Sequence, residues 1–99
     1  MMQTYSVSQV LYPNRSSKKT YRAMNIDNLR KNLIAGFLKK HPDYTLYIAK
    51  VEKDGSENYL GNLVYVFNGN YQWRQDPERG YPSDPFVDPK TGKLTYSRR

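Results

Sequence analysis

The chain has 99 residues, 37% hydrophobic and 25% charged, and carries a net charge of +7. That length supports one modest core, and ten tyrosines, three phenylalanines and a tryptophan exclude a wholly disordered polymer. With no cysteine, disulfides, thiolate nucleophiles and cysteine-ligated metal centres are excluded; with no signal-peptide pattern and no run of about 20 apolar residues, the sequence predicts a soluble cytoplasmic protein without a membrane partner.

In chain order, Tyr5, Val7 and Leu11 alternate weakly and predict a first strand over residues 4–11. Residues 13–19 form a polar, basic loop with turn chemistry, and residues 20–23 are a short returning strand. Residues 1–24 hold Arg15, Lys18, Lys19 and Arg22 and no acid, so the positive charge is concentrated near this end. A helix is predicted over residues 26–40: Asn25 suits the N-cap, Asp27 and the pair Lys39 and Lys40 suit the two ends of the dipole, and Pro42 stops it. Ile26, Leu29, Leu33, Ile34, Phe37 and Leu38 share one arc, with Arg30 inside it, where it is expected to snorkel past the core, the alternatives being a pair with an acid or a role in a site.

Two turn dipeptides, Asp54 with Gly55 and Asn68 with Gly69, then predict tight two-residue hairpins joining strands over residues 44–53, 56–67 and 70–75. This register sets Lys53 opposite Ser56, Ala49 opposite Leu60, Phe67 opposite Asn70 and Val64 opposite Trp73. One face then gathers Tyr47, Ala49, Val51, Leu60, Val64, Val66, Tyr71 and Trp73 under the helix; the other gathers Tyr44, Leu46, Ile48, Lys50, Tyr59, Leu63, Tyr65, Phe67, Gln72 and Arg74. A one-residue bulge would exchange the faces beyond it. After Gln75, six prolines and glycines punctuate a stretch poor in aliphatics and predict an irregular tail with, at most, a short terminal strand from Leu94. The predicted fold is therefore α+β: a single domain over residues 1–75, with an antiparallel meander of three to four strands on one amphipathic helix in the order β(β)αβββ, followed by a Pro-rich tail over residues 76–99.

Catalytic chemistry finds no foothold in these residues. His41 is the only histidine, no D-x-D or E-x-x-E pair occurs, and no glycine-rich phosphate loop is present, so no enzyme, cofactor or metal site is predicted. The combination of flat rings and cations is the positive signal. Tyr44, Tyr59, Tyr65 and Phe67, with Lys50 and Arg74 among them and Arg15, Lys18, Lys19 and Arg22 beside them, predict a stacking platform for nucleic acid. The alternative is a protein-interaction module, a small inhibitor or assembly subunit, which uses the aromatic face or the tail to hold an acidic protein or a second copy of the chain.

Overall fold

The computed structural model describes residues 2–75 and 84–96. These residues form one seven-stranded antiparallel sheet and one helix: β1 (Gln3–Leu11), β2 (Arg15–Ala23), α1 (Ile26–Leu33) continued by a π-helical turn (Ile34–Leu38), β3 (Thr45–Val51), β4 (Glu57–Phe67), β5 (Asn70–Arg74), β6 (Phe86–Val87) and β7 (Leu94–Thr95). The strands lie in the order β2-β1-β3-β4-β5-β6-β7, so β1 is an inner strand and β2 and β7 are the edges. The predicted meander of three to four strands is too small. β2 is a full partner of β1 over nine residue pairs, and the expected irregular tail instead contributes β6, paired with β5, and β7, paired with β6.

Helix α1 begins where Asn25 accepts a hydrogen bond from the Asn28 N–H at 2.8 Å, satisfying one of the orphan donors of the first turn. Leu29, Leu33, Ile34 and Leu38 are buried against Tyr5, Val7, Ala23, Leu46, Ile48, Leu63, Tyr71, Trp73 and Val87 of the sheet. Each of those four helix side chains contributes about 1.5–3 kcal/mol by leaving water. Arg30 does not snorkel. It is 2% exposed, pairs with Asp27, donates through Nε to the Gly92 carbonyl at 3.0 Å, and lies 4.7 Å from the Trp73 ring centroid. Burial lowers its pKa, and Asp27 opposes that shift, so the guanidinium is held as a desolvated, hydrogen-bonded cation.

The two hairpins part company with the simple register in different ways. Asn68 and Gly69 have φ of 49° and 77°, and Phe67 stands opposite Asn70, as a two-residue type I′ turn requires. At the first hairpin the Gly55 N–H donates to the Glu52 carbonyl and the Glu52 N–H to the Ser56 carbonyl, so the loop has three residues, 53–55, with only Gly55 at positive φ. Lys53 is therefore not paired with Ser56. Two bulges follow in β4. Ile48 faces Gly61 but Ala49 faces Tyr59, leaving Leu60 extra; Tyr65 faces Tyr71 but Phe67 faces Asn70, leaving Val66 extra.

The extra residue at Val66 moves Tyr71 and Trp73 to the face of Leu46, Ile48 and Leu63. Those three face the helix and are fully buried, while Tyr47, Ala49, Val51 and Val64 turn away from it, the reverse of the expected helix face. Trp73 is set opposite Leu63 rather than Val64 and stays on the helix side. Gly61 is needed there because a Cβ would come within 2.5 Å of the Trp73 ring.

Candidate nucleic-acid interface

The helix lies on one face of the sheet, and the register sends a different set of side chains to the other. From β1 come Thr4, Ser6, Ser8 and Val10; from β2, Lys18, Thr20 and Arg22; from β3, Tyr47, Ala49 and Val51; from β4, Tyr59, Asn62 and Val64; from β5, Gln72 and Arg74. The serines and threonines of β1 are short, so the middle of this face is a shallow floor. Lys18 reaches across it to Glu57 at 3.0 Å, and the Ser6 hydroxyl donates to the same carboxylate at 3.3 Å.

Three tyrosines stand on or beside that floor. Tyr12, in the loop after β1, shares a hydroxyl contact of 2.5 Å with Tyr47. Burial first, and then the bond to Tyr12, push the Tyr47 phenol up to about 12, so it is neutral over the whole physiological range. Tyr59 donates its hydroxyl to the Asn62 side-chain carbonyl at 3.0 Å, which satisfies an amide only 2% exposed. On the neighbouring strand Arg74 donates through Nε to Gln72 at 2.8 Å, and Gln72 donates to the Asp84 carbonyl at 3.3 Å. These contacts fix one end of Tyr12, Tyr47, Tyr59 and Arg74, and Tyr59 is 45% and Tyr12 65% exposed.

The residues predicted as one platform are divided by the bulges. Tyr59, Arg74, Lys18 and Arg22 come together on the face away from the helix, and Phe67 reaches it at the tip of the second hairpin. Arg15 and Lys19 alternate to the helix side of the edge strand β2, where both are exposed. Lys50 pairs with Tyr5 on the helix side and lines a groove of about 310 Å³ with Met2, Gln3 and Thr4. Tyr65 is also on that side, edge-on to Tyr71 with centroids 5.4 Å apart, and its hydroxyl accepts from the Gly69 N–H. Tyr44 closes an aromatic cluster at the helix end, 5.1 Å from Phe37 and 5.5 Å from His41.

Tyr12 and Tyr47 are the two site residues that the sequence reading did not place. An unbroken β4 sets Val64, on the face of Tyr47, opposite Trp73, and so places Tyr47 under the helix; the extra residue at Val66 instead sets Trp73 opposite Leu63 and leaves Tyr47 on the far face. Gly61, an isolated glycine within a strand pattern, is the sequence signal for the other bulge, at Leu60, which carries Tyr59 to that far face.

Among the described residues, no group of three or more His, Asp or Glu side chains is placed to hold a metal ion, and no helix is long and apolar enough to cross a membrane. Comparison with protein-family models, with curated proteins and with solved structures finds no match in any of the three.

Proposed function

We propose that this chain is a non-enzymatic binding module that takes single-stranded nucleic acid on the sheet face opposite the helix. The observation that carries the reading is the grouping on that face of Tyr47 and Tyr59, with Tyr12 beside them, between Lys18 and Arg22 at one side and Arg74 at the other. A sheet spaces neighbouring strands about 4.8 Å apart, so rings on adjacent strands can each meet a base, which a paired duplex does not offer. Such stacking contributes about 1–3 kcal/mol per base. The cations at the margins suit the phosphates, and a cysteine-free, basic chain suits a reducing cytoplasm.

The test is fluorescence anisotropy of labelled single-stranded and duplex DNA and RNA between about 50 and 200 mM salt. Three phosphate contacts give a log–log salt slope near −2 for a single strand, so affinity should fall about 20-fold across that range. Arg74→Gln should lower the slope by about 0.7, and Tyr59→Leu should weaken binding without changing it. Absence of binding at the lowest salt, or a preference for duplex that survives loss of the Tyr59 ring, would overturn the reading.

A further inference from the structure

The outer edge of β2 has the chemistry of a second binding surface. β2 is nine residues long and pairs with β1 through nine consecutive residues without a register shift. It holds neither proline nor glycine, and residues 15–20 are all exposed. Every second residue of an edge strand turns its N–H and C=O outward, so β2 presents a long ladder without a bulge, and among the described residues no strand pairs with its outer edge. The opposite edge, β7, has only two residues.

Charge decides what this ladder can accept. Lys18 and Arg22 project to one face, Arg15 and Lys19 to the other, and residues 1–24 contain no acid. In an antiparallel pairing of two copies, directly opposed residues share a face, so a pair centred on Thr20 would set Lys18 opposite Arg22 and one centred on Ser17 would set Arg15 opposite Lys19. Both registers set like charges opposite each other, which disfavours self-association. An acidic strand meets the opposite condition. The cations stand at spacings of three, one and three residues, a pattern that reads the same in both directions. A partner with acids at j, j+3, j+4 and j+7 therefore matches all four, whether it runs parallel or antiparallel.

We propose that the β2 edge docks an extended acidic segment of a partner protein, with the acid-x-x-acid-acid-x-x-acid spacing, as an eighth strand of the sheet. Main-chain hydrogen bonds to β2 supply the binding, and the four cations supply the choice of partner. Lys18 would exchange Glu57 for a partner carboxylate; its side chain is already 55% exposed. This inference does not rest on nucleic-acid binding: the two readings share Lys18 and Arg22, but strand addition uses the main chain of β2 and not the Tyr47 and Tyr59 rings.

The experiment uses the ¹⁵N-labelled full chain and a blocked peptide with the core Glu-Thr-Val-Glu-Glu-Val-Thr-Glu, whose β-branched positions favour the extended form. The expected result is amide shifts concentrated on residues 15–23, with intermolecular backbone contacts to β2. Methylating alternate peptide nitrogens leaves the charge unchanged but removes ladder donors, and should weaken binding about tenfold or more. A peptide with glutamates at strictly alternate positions, which places acids on one face only, should also bind more weakly, as should the Lys18→Glu, Lys19→Glu double variant. Equal binding by the methylated peptide would show charge attraction without strand addition and would overturn the proposal. So would shifts centred on Tyr47 and Tyr59, no binding at about millimolar peptide, or a β2-mediated dimer of the free chain.

Discussion

Gly92 and Gly69 share a φ of +77° but differ in what surrounds them, and that difference isolates how the C-terminal hairpin is fastened to the helix. Nothing lies within 4 Å of a Cβ built at Gly69, so Gly69→Ala should cost only the left-handed backbone penalty, about 1–2 kcal/mol. At Gly92 the same Cβ would stand 1.8 Å from the Asp27 carbonyl oxygen and 2.9 Å from the Lys31 nitrogen, both backbone atoms of α1. Neither can swing aside. The turn is held as a unit by the Gly92 N–H to the Asp88 carbonyl and the Asp88 N–H to the Lys93 carbonyl, so it must lift from the helix as a body. Lifting removes the Gly92 carbonyl from Arg30, a charged hydrogen bond of about 1.5–3 kcal/mol, and leaves a buried guanidinium short of an acceptor. Gly92→Ala should therefore cost about 3–5 kcal/mol, a large share of the stability of a small domain. Urea unfolding followed by the fluorescence of Trp73, the single tryptophan and a neighbour of Arg30, reads both variants. The midpoint of Gly92→Ala should fall below that of Gly69→Ala by about 1 M or more. Equal losses in the two variants would refute the docking of the turn on α1.

Gly61→Ala should cost about 1–3 kcal/mol, because its Cβ would press on the Trp73 ring at 2.5 Å and on the Arg74 carbonyl oxygen at 2.9 Å. Wild-type stability and an unchanged Trp73 emission maximum would show that β4 and Trp73 are not packed in this way. The Tyr47 phenol, held at about 12 against about 10 in an unfolded chain, makes no contribution to the pH dependence of stability below about pH 10, where both states are protonated. Between about pH 10 and 12 the unfolded chain ionises first and binds fewer protons, so stability should fall as pH rises. In protein labelled with ¹³C at the tyrosine Cζ, Tyr47 should titrate near the top of that window, and Tyr12→Phe should move it down. A Tyr47 titration near 10 in the wild-type chain would remove the hydroxyl contact from the site.

What could be read from the sequence is what local chemistry determines. Asn68 and Gly69 are both residue types that tolerate positive φ, and both adopt it, so that hairpin and the pairing of Phe67 with Asn70 followed directly. Asp54 and Gly55 supply only one such residue in the fold, because the Asp54 carboxylate accepts from the Ser56 N–H and hydroxyl and stabilises a three-residue loop. The helix announced itself through its cap and apolar arc. Strand β6 could not, since two residues are too few to show a period, while β7 is the short terminal strand expected from Leu94. They are held by distant partners: Val87 in the core, and the contact of Arg30 with Gly92 across 62 residues of chain.

The candidate site depended on the same non-local information. In an unbroken strand Tyr59 and Leu63, four residues apart, would share a face, and so would Leu63, Tyr65 and Phe67. Burial of Leu63 under the helix would then carry Tyr59 and Phe67 into the core with it. The extra residue at Leu60 separates Tyr59 from Leu63 and brings it beside Ala49 on the far face, near Tyr47; the extra residue at Val66 separates Phe67 from Tyr65. Each bulge therefore satisfies two demands at once, an aliphatic side chain in the core and an aromatic ring outside it. Gly61 makes the first arrangement possible by letting the bulged backbone lie against Trp73, so the packing of the core and the display of the aromatic face rest on one glycine.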